Sequence, residues 1–389
     1  MLFQIPISEK YPYFAWRAAR RPAKALKAWR RREKMPSNIW IEITSRCNLR
    51  CRSCSKLYKA ANSDADMELS LFDRIVEEVA PGADTINLTG IGESLFHRQA
   101  EQIFEKLEKW PKICLLFTTN GILMNEEWIQ RLARRRCNVI FSIDGIDQET
   151  HQFNRPKGDL SKLQFCLARA RELEIASGDL AYFPFSRNIN FLVMKNNMRQ
   201  MPGMILWAKD YNLASIRFIL MNDWGCAEAF WKEQNPLNYR DELIALLDES
   251  RRLAARYGVP LIAPDVFPRP PSQADEAVSK ARRRKSGLWG LFKPTLASEL
   301  GYSRYEDRYC HVPFDSIYIS ANGKASVCCA AVHYELGDVN RQTVHEIWNG
   351  RPFRLLRAGM AIGAHTSYCR RCDLPFGLAG GNPRSDLSG

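Results

Sequence analysis

The chain has 389 residues, 46% of them apolar and 25% charged, which excludes a disordered or fibrous chain and suits one large folded domain plus a smaller one. No apolar run reaches the roughly 18 residues of a membrane span, and the opening MLFQIPISEK lacks a cationic flank before an apolar core, so a cytoplasmic protein is expected. Twelve cysteines in such a compartment point to metal or redox chemistry instead of disulfides, and the net charge of +13 points to anionic partners or a solvated basic face.

Residues 1–37 carry nine Lys or Arg between positions 17 and 34 against one acid, Glu33, together with Tyr11, Tyr13, Phe14, Trp16 and Trp29. Aromatic and cationic side chains mixed on a helix suit a membrane interface or an acidic partner, and equally a helix packed across the bottom of the next domain. Pro22 and Pro36 are expected to break this segment, which is too short to be a folded peptide-binding module.

Residues 39–44, Ile-Trp-Ile-Glu-Ile-Thr, read as a strand, which puts Cys47-Asn48-Leu49-Arg50-Cys51-Arg52-Ser53-Cys54 on the loop leaving its C-terminal end. Three thiols separated by three and then two residues can converge on one metal centre. The spacing fits neither the paired CxxC blocks of a zinc ribbon nor the four-cysteine runs of ferredoxins. On a four-iron, four-sulfur cluster, three ligands leave one iron open as a reaction site; a structural zinc loop is the competing reading.

Strand-like and helix-like stretches then alternate. Ser70 and Asp73 read as a capping box opening a helix to residue 79, followed by a strand at 84–89 and a helix at 97–110. Strands at 113–118, 138–143, 188–194 and 215–220 alternate with helices at 125–135, 160–174, 202–210 and 241–257. Six such units predict an α/β fold, a partial (β/α)6 TIM-like barrel over residues 38–258. Residues 259–309, with Pro264, Pro268, Pro270, Pro271 and five basic residues at 280–285, read as a linker or a lid. Residues 310–389 form a small cysteine-rich domain, opening with a hairpin, 316–320 and 324–328, around Asn322-Gly323.

The strand ends carry polar motifs. After the second strand comes Gly90-Ile91-Gly92-Glu93-Ser94-Leu95, whose glycines let backbone approach a ligand and whose carboxylate can receive an ammonium group. The third ends in Thr118-Thr119-Asn120-Gly121. The fourth ends in Ser142-Ile143-Asp144-Gly145, where Ser142 and Asp144 alternate onto one face. Arg155 follows, and the fifth strand ends in Met194-Lys195-Asn196-Asn197.

With the cysteine loop, these stretches resemble the radical S-adenosylmethionine (SAM) superfamily, whose CxxxCxxC loop follows the first barrel strand. The resemblance implies a 4Fe-4S cluster on Cys47, Cys51 and Cys54. It implies that Gly90, Gly92 and Glu93 form a GGEP-like loop at the SAM amino group, with Ser94 where proline is usual. Thr119 and Asn120 match the TNG turn beside the cofactor. Ser142 and Asp144 match residues at the SAM ribose and carboxylate, Arg155 an arginine near that carboxylate, and Asn196 a polar turn beneath the cofactor. The implied chemistry is reductive cleavage of SAM to a 5′-deoxyadenosyl radical that takes hydrogen from a substrate, with an electron from a donor such as flavodoxin or ferredoxin.

Toward the C terminus, Cys310, twelve residues, Gly323, four residues and Cys328 resemble the opening of a SPASM domain, as do Leu336-Gly337-Asp338-Val339 and Glu346-Ile347-Trp348. A complete SPASM domain uses seven cysteines for two clusters, more than this chain supplies here. The resemblance therefore implies a shortened domain with one auxiliary cluster, of the 4Fe-4S type, held by Cys310, Cys328, Cys369 and Cys372; a four-cysteine zinc site is the alternative. Cys114, Cys137 and Cys166 read as core residues. Cys226, just past the sixth strand, is a candidate hydrogen-atom donor of the kind radical SAM epimerases place on the rim.

Relatives with such extensions modify peptides or proteins, and others oxidise or epimerise sugars and aminocyclitols. A peptide or protein substrate is expected; the basic segments keep a dehydrogenase or epimerase of a sugar, aminocyclitol or other anionic glycan as an alternative. A zinc-containing, basic nucleic-acid-binding protein is the rival from another class, but it leaves residues 90–93 and 142–144 unexplained. No nucleic-acid partner is expected, and peripheral membrane contact through residues 1–37 is an open expectation.

Overall fold

The computed structural model describes residues 22–30, 33–54, 56, 64–178, 183–221, 226–264, 266, 310–332, 334–362 and 369. Its frame is a ten-stranded sheet. In chain order the strands are β1 (Asn38–Ile41), β2 (Thr85–Asn87), β3 (Cys114–Thr119), β4 (Cys137–Ser142), β5 (Phe185–Val193), β6 (Ser215–Leu220), β7 (Leu261–Ile262), β8 (Ser316–Ile319), β9 (Lys324–Ser326) and β10 (Gly337–Asp338). They lie in the order β10-β9-β8-β1-β2-β3-β4-β5-β6-β7. From β8 to β7 every pairing is parallel.

Burial alternates along these strands as a two-faced sheet requires. One face, with Ile39, Ile86, Phe117, Phe141, Phe191 and Phe218, is buried. Helices cover it: Phe104, on the helix Ala100–Glu108, meets Phe117 edge to face with ring centroids 5.4 Å apart. Each such side chain contributes about 1.5–3 kcal/mol by leaving water. The opposite face is half-buried and more polar, with Asn87, Thr118, Asn188, Asn190 and Arg217, and forms the inner wall of the partial barrel.

Several local expectations change. The first strand stops at Ile41: Glu42 N still donates to Ile319 O of β8 at 2.8 Å, and the backbone then turns to a new partner, Thr44 bridging to Asp66. The capping box of Ser70 and Asp73 is absent. The helix Leu69–Val79 has Glu68 at its N-cap with no side-chain cap, and Asp73 instead accepts from Lys106 Nζ at 2.5 Å. The region read as a linker contributes β7.

The C-terminal hairpin extends the barrel's own sheet. β8 lies parallel to β1, Asn38 opposite Ser316 through Ile41 opposite Ile319. The Glu78 carboxylate accepts from Val344 N at 2.9 Å and His345 N at 2.7 Å, fastening the start of the helix Val344–Trp348 to the helix Leu69–Val79. Residues 32–263 and 312–353 thus form one compact unit.

Residues 1–31, 264–311 and 354–389 form a second unit. Its described part includes the helix Pro22–Arg30, which has Pro22 at its first position, where a missing amide hydrogen costs nothing, so this proline opens a helix instead of breaking one. Within this unit Arg354 Nε donates to Trp29 O at 2.7 Å and its guanidinium lies 4.3 Å from the Trp29 ring centroid. Tyr11, Tyr13, Phe14, Trp16 and the 280–285 basic run lie outside the described residues. Among the described residues no helix is long and apolar enough to cross a membrane.

Candidate functional site

The cysteine loop leaves the C-terminal end of β1 and is fastened on both sides. Upstream, Asp66 accepts from Thr44 Oγ1 at 2.6 Å and from Arg46 Nη1 at 2.8 Å. Downstream, Arg52 N donates to Asn154 O at 3.1 Å and Arg52 Nε to Phe153 O at 2.7 Å. Within the loop Leu49 N points at Cys47 Sγ at 3.4 Å, and Cys54 N donates to Cys51 O at 3.0 Å. Cys47, Cys51 and Cys54 carry free thiols. Burial pushes the Cys47 thiol up to about 11, and burial also raises Cys51 against the lowering influence of Arg155. Without a metal Cys47 and Cys51 stay protonated at neutral pH; a coordinated metal deprotonates its thiol ligands.

The glycines of the β2 loop serve packing against this loop. A Cβ on Gly92 would overlap the carbonyl oxygens of Thr44 and Arg46, and one on Gly90 would overlap the Glu42 side chain. Glu93 N donates to Arg46 O at 2.8 Å, so the β2 loop lies directly on the backbone leading into Cys47.

Glu93 also braces the neighbouring strand end. Its carboxylate is 3% exposed and turned inward, one oxygen accepting from Thr119 Oγ1 at 2.8 Å and the other from Asn120 N at 2.7 Å. Burial raises its pKa to about 7 against those hydrogen bonds. Glu93 therefore shapes the β3 turn, with one hydrogen bond from the protein on each carboxylate oxygen. Thr119 is spent on the same contact, while Asn120 Nδ2 reaches Asn48 Oδ1 at 2.8 Å and Cys47 Sγ at 4.0 Å.

Asp144 is likewise a hub. It is 1% exposed; its Oδ1 accepts from Leu192 N at 3.1 Å and its Oδ2 from Arg155 Nε at 2.7 Å, which leaves Arg155 Nη1 aimed at Cys51 Sγ at 3.6 Å. The Asp144 carbonyl accepts from Asn154 Nδ2 at 3.2 Å and Asn197 Nδ2 at 3.0 Å. Both Asp144 and Arg155 are thus engaged with protein groups, and it is Arg155 that touches the cysteine loop. Ser142 is buried at the end of β4, opposite Asn190. Asn196 lies one step out, its Nδ2 donating to Asn154 Oδ1 at 2.9 Å.

Four residues escaped the sequence reading. Glu42, buried just beyond β1, accepts from Ile91 N at 2.7 Å and Ala321 N at 3.2 Å, joining the β2 loop to the C-terminal hairpin. Asn197 and Asn154 hold the Asp144 backbone, and His151 Nδ1 accepts from Asp144 N at 3.3 Å. A lone acid inside an apolar strand and a second asparagine beside Asn196 were the available signals.

The donor set fits an open iron–sulfur cluster. Three free thiols share one loop, and N–H groups of Asn120 and Arg155 are aimed at two of the sulfurs. Among the described residues no group of three His, Cys, Asp or Glu side chains is placed to hold a single metal ion. Of the auxiliary set, Cys310 and Cys369 belong to the second unit, Cys328 to the barrel unit, and Cys372 lies outside the described residues. Cys226, the candidate hydrogen-atom donor, is 7% exposed and packs with Met194 and Met221.

Residues 41–187 match the radical SAM superfamily, and residues 310–373 match the iron-sulfur cluster-binding SPASM domain. The chain is 31% identical over 219 residues to a GTP 3′,8-cyclase of Syntrophomonas wolfei, covering 54% of this chain and 62% of that one. It is 26% identical over 243 residues to the subtilosin biosynthesis protein AlbA of Bacillus subtilis, covering 58% and 51%. These alignments span less than two thirds of either relative. The fold is similar to that of Streptococcus suis SuiB bound to its precursor peptide SuiA, with a TM-score of 0.59 at 14% identity over 90% of this chain and 73% of that one. The two domains indicate iron–sulfur clusters and SAM as cofactors. A three-thiol loop at the head of a parallel α/β barrel, followed by an iron–sulfur-binding extension, places the chain in its family: it belongs to the radical SAM superfamily and carries a C-terminal SPASM domain.

Proposed function

We propose that this chain is a radical SAM enzyme acting on a peptide or protein, with Cys47, Cys51 and Cys54 as the ligands of its SAM-cleaving cluster. The observation that carries the reading is the cysteine loop itself, with Arg155 Nη1 aimed at Cys51 and Asn120 Nδ2 at Cys47 from strand-end turns. Bound there, the cluster and SAM together supply a reductively generated 5′-deoxyadenosyl radical for hydrogen abstraction.

The chain's own residues position and shield. Asp66 and Asn154 hold the two ends of the cysteine loop. Gly92 lets the β2 loop lie against it, and Glu93 fixes the β3 turn that carries Asn120. Asp144 orients Arg155, whose cation faces the thiolates a cluster needs. Cys310, Cys328, Cys369 and Cys372 are proposed to hold the auxiliary cluster. The electron donor is proposed to be a flavodoxin or a ferredoxin.

The peptide preference is supported by the extension and by the printed roles of two similar proteins: SuiB binds a precursor peptide and AlbA serves bacteriocin biosynthesis. A second reading, an anionic nucleotide or glycan substrate, draws support from the similarity to GTP 3′,8-cyclases and the net charge of +13. The deciding experiment incubates the anaerobically reconstituted protein with SAM, dithionite and either candidate peptides or GTP. A change in peptide mass with 5′-deoxyadenosine release supports the first reading; turnover of GTP alone supports the second.

A further inference from the structure

We infer that Arg217 is an anion-binding side chain on the inner wall of the barrel, placed to receive a carboxylate or phosphate group of the substrate. β6 alternates: Ile216 and Phe218 are buried on the helix-covered face, and Ser215, Arg217 and Ile219 face inward. The strand register puts Ser142, Asn190 and Arg217 in one row across β4, β5 and β6. Arg217 therefore shares a level of the inner wall with the residue that the resemblance sets at the SAM ribose, two strands away.

Arg135 and Arg187 also carry buried N–H groups without an acceptor; what distinguishes Arg217 is its place on the inward face of β6 without an ion pair. On the opposite face of β5, Arg187 is neutralised by Glu174 at 2.7 Å, and Arg155 is neutralised by Asp144 at 2.7 Å. Among the described residues Arg217 has no ion pair, and its buried Nε–H has no acceptor. Burial lowers its pKa with no carboxylate opposing the shift. Arg217 is half-buried, and its unmet Nε–H would be completed by an anion.

The groups beside it do not fill that need. In the row below, Asn188 Nδ2 donates to Asn138 Oδ1 at 2.6 Å and Ser215 Oγ donates to Asn188 Oδ1 at 2.7 Å, so those side chains satisfy one another. Leu192 and Ile219 complete the neighbouring row with apolar surface. What remains is a single planar, fork-shaped donor in a largely neutral wall, the geometry that pairs with two oxygens of one carboxylate or phosphate.

This inference rests on the proposed function for the claim that a substrate enters the barrel. On that reading the group bound is the carboxylate of an acidic residue or C terminus of the peptide. SAM also carries a carboxylate, and the test separates the two sources.

The test is residue-resolved modification of the full-length wild-type protein with phenylglyoxal, followed by peptide mass spectrometry, without reductant so that radical chemistry plays no part. Arg217 is expected to react, and N-acetyl-glutamyl amide or inorganic phosphate is expected to slow its modification several-fold, with or without SAM, while exposed arginines such as Arg98 react as before. The Arg217→Gln variant confirms the peptide assignment. Arg217 left unmodified in the free protein, or slowed by SAM and by neither anion, or slowed by none of the three, overturns the inference. Because no turnover is required, its failure is distinct from a failure to form 5′-deoxyadenosine.

Discussion

Arg155 and Asp144 act as one unit: Nε of the arginine donates to Oδ2 of the aspartate at 2.7 Å, and that contact aims Nη1 at the Cys51 sulfur at 3.6 Å. A cation and an N–H directed at a thiolate ligand both favour the more negative, reduced cluster. Arg155→Gln is expected to lower the midpoint potential of the SAM-site cluster by on the order of 59 mV, a tenfold change for a one-electron couple. Asp144→Asn, which keeps the cation and removes a carboxylate charge that also acts on Cys51, is expected to raise it. An EPR-monitored redox titration with SAM absent measures both.

Gly92 is where two loops touch backbone to backbone. A methyl group there meets the carbonyl oxygens of Thr44 and Arg46, so Gly92→Ala must lift the β2 loop off the residues that precede Cys47. The expected cost is about 1–3 kcal/mol of stability, the range for overpacking a tight contact, with a loss of iron retained after reconstitution. Gly82→Ala is the control, since nothing lies within 4 Å of its added carbon. Thermal unfolding and iron counts on the pair check this.

Glu42 ties the β2 loop to the C-terminal hairpin through Ile91 N and Ala321 N. An amide can accept only through its one oxygen, so Glu42→Gln leaves one of those donors unmet, at a cost of about 1–3 kcal/mol. Hydrogen exchange is expected to quicken together at residues 90–92 and 321–327, and nowhere in β4 to β6. Faster exchange at only one of the two segments would show that Glu42 does not join them.

His151 is buried, accepts from Asp144 N, and has its pKa lowered to about 4 by burial and then by Arg155. In the unfolded chain it titrates near 6.5. Between those values the unfolded state binds a proton that the folded state refuses, so stability present above about pH 6.5 falls as pH drops toward 4. The contribution is on the order of 3 kcal/mol. His151→Asn is expected to flatten this part of the profile in urea unfolding measured from pH 7 to pH 4.5.

The βα alternation and the placement of the cysteines after β1 were legible because both are local: period-two burial and loop spacing are written in consecutive residues. The parallel pairing of β8 with β1 was not, since nothing in a strand's own side chains says which distant strand it will join. The motifs at 90–94, 118–121 and 142–145 were found, but the bracing of the β3 turn by Glu93 was not. A carboxylate after glycines can face a ligand or the neighbouring strand end, and here Thr119 and Asn120 N take it. Asn196 and Asn197 were likewise indistinguishable as turn residues until burial showed Asn197 bridging Leu192 and Asp144.

The most direct measurement is EPR of the anaerobically reconstituted, dithionite-reduced protein in which Cys310, Cys328, Cys369 and Cys372 are all replaced by alanine. The account predicts a single reduced 4Fe-4S signal whose shape changes when SAM is added, because SAM binds the iron that Cys47, Cys51 and Cys54 leave open. A protein that instead retains zinc at those three thiols, or a cluster signal indifferent to SAM, contradicts it.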